Sequence, residues 1–170
     1  MERSRRIVIV AHCILNASSR VEGVAGYQGV HPLVAELSRR GFGLIQIPCP
    51  ELASEGLDRP RKTRDEYDTP AYRTHCSHIA EEIAREVGIY VDAGYEVSAL
   101  VGVDGSPSCG VDTTSAACPE PPGSTRRVSG RGILIEELAR RLAPYGLSFA
   151  AVDSHDSDLG VVRVLRVMEG

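Results

Sequence analysis

Apolar and polar positions fall along the chain in blocks that read as short strands separated by amphipathic helices. Ile7-Val8-Ile9-Val10-Ala11 is continuous, β-branched and brief, as expected of a strand in a parallel sheet covered on both faces. It ends at His12-Cys13. After Gly23, Gly26 and Gly29, Pro32 stands where a helix can begin, Leu33, Val34 and Leu37 supply an apolar face, and Gly41 supplies a stop. Gly43 to Ile47 reads as a second strand, closed by Pro48 because proline cannot donate to a ladder, and it runs into Cys49. Ile79, Ile83, Val87 and Tyr90 recur every three or four residues and predict a helix from about Ser77 to Val91, with Gly94 beyond its end. Val97 to Val103 is a third strand, and its exit carries Asp104-Gly105-Ser106-Pro107-Ser108-Cys109-Gly110. Leu134, Leu138 and Leu142 mark a further helix after Gly132, Leu147 to Val152 a fourth strand, and the spacing of Arg163, Arg166 and Glu169 a terminal helix.

Two segments lack such periodicity. Residues 51–70 are polar and hold Pro60 and Pro70, so they are expected to form an exposed functional loop. Residues 111–130 are rich in Thr, Ser, Pro and Gly, a length and composition that in a globular domain mean a lid over a site or disorder.

Strand and helix in alternation predict an α/β fold: one domain over 1–170, three-layer and Rossmann-like or flavodoxin-like, with a mainly parallel sheet of four to five strands and right-handed crossovers. Ligands of such folds bind outside the carboxyl ends of the strands, where neighbouring crossovers diverge to opposite faces. Cys13, Cys49 and Cys109 each follow a predicted strand, so the fold itself is expected to gather three distant cysteines on one rim.

Composition narrows the partners. Nineteen Lys plus Arg against 23 Asp plus Glu leave a net charge of −4 and no basic excess for a phosphate backbone, which disfavours nucleic acid. No apolar run approaches the roughly 20 residues of a membrane span, and the N-terminal residues do not form a signal-peptide core, so a cytoplasmic protein with no membrane partner is expected. The five cysteines are odd in number and form no CxxC pair, which argues against a disulfide framework and leaves packing, catalysis or a metal.

Three thiolates on one rim can hold a metal centre with one coordination position open, either an iron–sulfur cubane or a catalytic zinc. Glu51, two residues after Cys49, would add a carboxylate able to act as general base, and Ser106 and Ser108 would add hydroxyls in a tight turn beside Cys109. Any one of these cysteines could equally fill space in a core. Packing is the simpler reading of Cys76 and Cys118, and a surface or hydrogen-bonded role that of His12, His75, His78 and His155. Lys62 or Arg64 could clamp an anionic or carbonyl-bearing substrate, or could belong to a solvated loop. Neither GxGxxG nor GxxxxGK[ST] occurs, so nucleotide binding of those kinds has no support.

Taken together, Ala11-His12-Cys13-Ile14-Leu15-Asn16, Ile47-Pro48-Cys49-Pro50-Glu51 and Ser106-Pro107-Ser108-Cys109-Gly110 resemble the 2-thiouracil desulfidase family, in order and across most of the chain. The stretch from Lys62 to Arg73 is similar to a short branch of that family that has no extra C-terminal domain. The resemblance implies a [4Fe-4S] cluster held by Cys13, Cys49 and Cys109, whose fourth iron binds the sulfur of a small thiolated substrate. By that analogy Ser106 orients substrate or water, and from its position Glu51 is the expected general base; Asn16, Lys62 and Ser108 are the expected substrate contacts, the substrate being a thiouracil-like base or another small thioamide or thiocarbonyl compound. Oligomeric state is left open. A cluster-bearing sulfur carrier and a zinc or cysteine-nucleophile protein without a cluster are the competing readings.

Overall fold

The computed structural model describes residues 2–153 and 157–169. His155 lies outside the described residues. The elements run β1 (Arg6–Ala11), α1 (His12–Leu15), α2 (Pro32–Arg39), β2 (Gly43–Ile47), α3 (Pro50–Glu55), α4 (Arg64–Tyr67), α5 (Pro70–Asp92), β3 (Glu96–Asp104), β4 (Thr113–Ala117), β5 (Thr125–Ser129), α6 (Ile133–Leu142), β6 (Ser148–Asp153) and α7 (Ser157–Glu169).

Four strands form a parallel sheet in the order β2-β1-β3-β6. Ile9 of β1 lies beside Ile45 of β2 and Leu100 of β3, and all three are buried because helices cover both faces of the sheet. On one face α2 packs with α7, and on the other α5 packs along α6. The fold is therefore the expected α/β arrangement, with four strands in the parallel sheet. From β1 the chain steps outward to β2, then crosses back over β1 to β3. The two crossovers leave the sheet in opposite directions, which opens a crevice at the carboxyl ends of β1 and β3.

Residues 51–70 do not form an extended loop. Cys49 caps α3 by accepting from the Leu52 amide at 3.4 Å, and Pro50 fills the first helical position. Thr63 and Glu66 close a reciprocal capping box that starts α4. Thr69 caps α5 and Pro70 occupies its first turn, so this helix begins well before Ser77. The prolines in this segment that suggested a loop include one that starts a helix. A proline lacks an amide hydrogen that the first turn could not have used anyway. Cys76 accordingly sits within α5 rather than at its start, on the buried stripe of Tyr72, Cys76, Ile79, Ile83 and Val87.

Residues 111–130, expected as a lid over a site or as disorder, are folded, and Ser115 among them lines the cavity at the strand ends. They form an antiparallel hairpin in which Thr113 pairs with Ser129 and Ala117 with Thr125. Thr, Ser and Ala give these strands no continuous apolar face, so pairing, not sequence periodicity, defines them.

Candidate active site

Each of the three strand exits delivers a cysteine. Cys13 occupies the single turn of α1 directly after β1, Cys49 the cap of α3 after β2, and Cys109 the loop after β3. All three line one open cavity of about 110 Å³, together with Glu51, Ser106 and Lys62.

The Cys109 loop is held from several sides. Ser106 Oγ accepts from the amides of Ser108 at 3.2 Å and Cys109 at 3.0 Å, which closes a tight turn. The carbonyls of Pro107 and Ser108 accept from Ile133 and Leu134, both at 3.0 Å, and so satisfy amides at the start of α6 that have no partner inside the helix. Gly132, the cap of α6, has no side chain to do this. Asp104 Oδ1 accepts from the amides of Val111, Asp112 and Thr113, tying the root of the hairpin to the end of β3. A Cβ on Gly102 would collide with the Cys109 carbonyl, one on Gly110 with the Thr113 carbonyl, and one on Gly132 with the Ser108 backbone. Three backbone segments pass too close around Cys109 for any side chain at these positions.

Glu51 stands in the first turn of α3 and reaches across to this loop. Its Oε1 accepts from Ser108 Oγ at 2.8 Å. Ser108 has a single proton and gives it to Glu51, so the Tyr72 hydroxyl, 2.7 Å from Ser108 Oγ, is the donor in the next link. The other carboxylate oxygen faces the Arg59 guanidinium, with Nε at 3.5 Å. Arg59 is buried and also donates to the carbonyls of Ser19 and Gly56, each at 2.8 Å. Its charge is therefore met in the interior by one carboxylate and two carbonyls.

The remaining candidates separate. Lys62 lines the cavity but pairs with Glu55, and its ammonium lies 5.3 Å from the centre of the Tyr67 ring. Arg64 is turned away to the Arg131 carbonyl, Asp68 and Glu136. Asn16 does not line the cavity. Its side chain accepts from the Ser18 amide at 3.1 Å and caps the 3₁₀ turn Ala17–Ser19, which leads into the cavity residues Ser19 and Arg20. Ser108 is fully buried behind the cavity wall and reaches the site through Glu51. His12 bonds Gln46 at 2.7 Å, and His75 and His78 are not among the cavity residues. Cys76 is buried in α5, and Cys118 on the hairpin donates to the Glu120 carbonyl at 3.1 Å. Sequence reasoning missed Arg20, Arg59, Tyr72 and Ser115 as parts of this region. A lone arginine or serine carries no local signal, and only contact across the fold reveals it.

A family model described as "Putative 2-thiouracil desulfurase" matches residues 5–125, which include all three cysteines, Glu51 and the Ser106–Gly110 turn. The chain belongs to this family. Over 168 residues it is 30% identical to an uncharacterised protein, MJ0003, of Methanocaldococcus jannaschii, covering 98% of this chain and 97% of that one. Its fold is similar to that of a solved structure titled a [4Fe-4S]-dependent thiouracil desulfidase, TudS, with a TM-score of 0.50 and 19% identity over 94% of this chain and 97% of the other. No described helix is long and apolar enough to cross a membrane.

For this desulfurase-family chain the donor set can be tested against a cluster. All five cysteines are free. Burial raises the Cys13 thiol to about 11 despite the nearby positive charge of Arg20, and raises Cys49 despite the amide hydrogen bond from Leu52. Burial also holds Cys109 well above the usual thiol range. Buried thiols of this kind ionise when a cationic centre takes their charge. Among the described residues, no three His, Cys, Asp or Glu side chains stand close enough to share one metal ion. Three free cysteines lining one cavity are a soft donor set of the kind that holds an iron–sulfur cluster or zinc.

Proposed function

We propose that this protein is an iron–sulfur-dependent desulfidase that converts the C=S group of a small thiolated compound to C=O and releases sulfide. Cys13, Cys49 and Cys109 would hold a [4Fe-4S] cluster. The observation that carries the reading is the cavity at the sheet's crevice, where three thiols and one carboxylate meet. A cluster with three thiolate ligands supplies an open, soft Lewis-acid position for the substrate sulfur.

The protein's own groups do the rest. Glu51 takes a proton from water as the water oxygen bonds to the thiocarbonyl carbon. The C–S bond breaks, and the sulfur departs as sulfide with the two protons of the water. No electron is gained or lost overall. Ser108 donates to Oε1 of Glu51 and the Arg59 guanidinium faces Oε2, so the carboxylate is held in a fixed orientation towards the water. Ser106, at the cavity wall, orients the substrate or the water, while its Oγ also shapes the turn that presents Cys109. Lys62, also in the cavity wall, contributes positive charge that Glu55 moderates.

Anaerobic reconstitution of the wild type and of Cys109→Ser tests this reading. The wild type should bind about four iron and four acid-labile sulfide per chain, and the variant should lose most of both. The reconstituted wild type should turn over 2-thiouracil or a related thioamide with release of sulfide. Glu51→Gln should keep its iron and lose about 10²- to 10⁴-fold in kcat. Iron binding that ignores Cys109, or full activity in Glu51→Gln, would exclude the assignment.

A further inference from the structure

Residues 17–29 form a closed loop on the outer side of the cavity. Its ends meet where the Ala17 amide donates to the Gly29 carbonyl at 2.7 Å, and just beyond them the His31 amide donates to the Ile14 carbonyl at 2.9 Å. Surface loops whose ends are joined in this way are frequently functional. After the 3₁₀ turn Ala17–Ser19 the segment holds no helix or strand, yet every third side chain turns inward. Val21, Val24 and Tyr27 are half-buried, while Glu22, Gly23, Ala25 and Gly26 are exposed. Val21 and Val24 line the cavity that holds the three cysteines. One stretch of chain therefore stands between that cavity and water on this side.

The stretch is lightly held. Among the described residues, one side chain ties its interior, Val21 to Gln28, to the rest of the protein: the Tyr27 hydroxyl donates to the Cys13 carbonyl at 2.8 Å. Arg20, from the same loop, hydrogen-bonds that hydroxyl as well. Burial pushes the Tyr27 hydroxyl well up, so it keeps its proton and stays a donor at ordinary pH. Its ring stands edge-on to the buried His31 ring, with centroids 4.7 Å apart, and His31 is fixed as the cap of α2. Gly23 and Gly29 have φ of 79° and 66°, and a Cβ on either would meet nothing, so these glycines serve backbone freedom rather than close packing. A segment with few backbone bonds opens more readily than the sheet beside it.

We infer that residues 17–29 are a strap that opens and closes over the cysteine cavity, latched by the bond from Tyr27 to the Cys13 backbone, with Val21 and Val24 on its inner face controlling access. What the strap protects rests on the desulfidase reading: an open coordination position is reached by oxygen as readily as by substrate unless an apolar shell screens it. The acceptor in the latch belongs to a proposed cluster ligand, so closure of the strap and the placement of Cys13 are coupled.

Hydrogen exchange on the anaerobic holoprotein reads the latch directly. Tyr27→Phe keeps the ring against His31 and removes only the hydroxyl. Exchange of the amides of residues 21–28 should quicken about fivefold, with the sheet amides unchanged. At equal iron content, the visible absorbance of the cluster should fade at least about twofold faster in air-saturated buffer than in wild type. Val24→Ala keeps the latch, so it should leave this exchange as in wild type and still hasten the fading. Unchanged exchange in Tyr27→Phe, exchange that quickens equally in the sheet, or fading as slow as wild type in both variants would overturn the strap. A wild type that takes up no iron would instead overturn the desulfidase reading. The strap is then decided on the apoprotein, where Tyr27→Phe should raise iodoacetamide labelling of Cys13 about fivefold and an unchanged rate would exclude it.

Discussion

Ser108 Oγ donates to Glu51 Oε1 at 2.8 Å, joining the loop after the third strand to the helix after the second. Ser108 therefore orients the carboxylate that the proposed mechanism uses, and Tyr72 orients Ser108. Ser108→Ala leaves both a carboxylate oxygen and a buried tyrosine hydroxyl without this partner. Its kcat should fall about tenfold or more at unchanged iron content, with stability lower by about 1–3 kcal/mol. Tyr72→Phe keeps the Ser108–Glu51 bond and should cost about 1 kcal/mol with a smaller kinetic effect. Steady-state kinetics and urea titration of the two variants check this order.

Arg59 is the interior counter-charge of Glu51, and it also braces the Ser19 and Gly56 carbonyls. Replacing it by methionine leaves the carboxylate buried and uncompensated. Arg59→Met should lower stability by about 3–5 kcal/mol, read as a shift of the urea midpoint. The double variant Arg59→Met, Glu51→Gln should recover part of that loss, because no net charge then remains in the pair.

Gly132→Ala should disrupt the site more than the fold. The added methyl meets the Ser108 backbone, and that backbone accepts the first amides of α6. Relief requires the Cys109 loop to move away from the cavity. The variant should retain its far-ultraviolet circular dichroism while taking up clearly less iron on anaerobic reconstitution.

His31 makes stability depend on pH. Its imidazole is buried, its Nδ1 accepts from the Leu33 amide at 3.1 Å to cap α2, and burial with the nearby Arg20 lowers its pKa to about 4. The unfolded side chain titrates near 6.5, so between these values the unfolded chain holds a proton that the folded one resists. The contribution is complete above about pH 6.5 and is lost as pH falls towards 4, by up to about 3 kcal/mol. In His31→Asn, which keeps a capping side chain, unfolding free energy should depend less on pH across this window.

The four strands of the parallel sheet and the principal sheet-covering helices were legible because their signals are local. A β-branched run such as Ile7-Val8-Ile9-Val10 can be covered on both faces only in a central parallel strand, and leucines at helical spacing define the buried side of α6. The position of each cysteine just after a strand was equally local, and parallel topology then brings all such exits to one rim. Two starts were also written in the chain yet masked by prolines: Thr63 with Glu66, and Thr69 with Pro70. Tertiary structure alone decided the rest. Glu51 and Ser108 are 57 positions apart and Tyr72 and Ser108 are 36 apart, so no window of sequence contains either bond. Arg59 becomes a buried counter-ion, Ser115 a cavity hydroxyl and Gly132 the seat of the Cys109 loop only when separate segments pack. Periodicity reports which face of an element is apolar; the partner of a polar group is set by what the folded chain places opposite it.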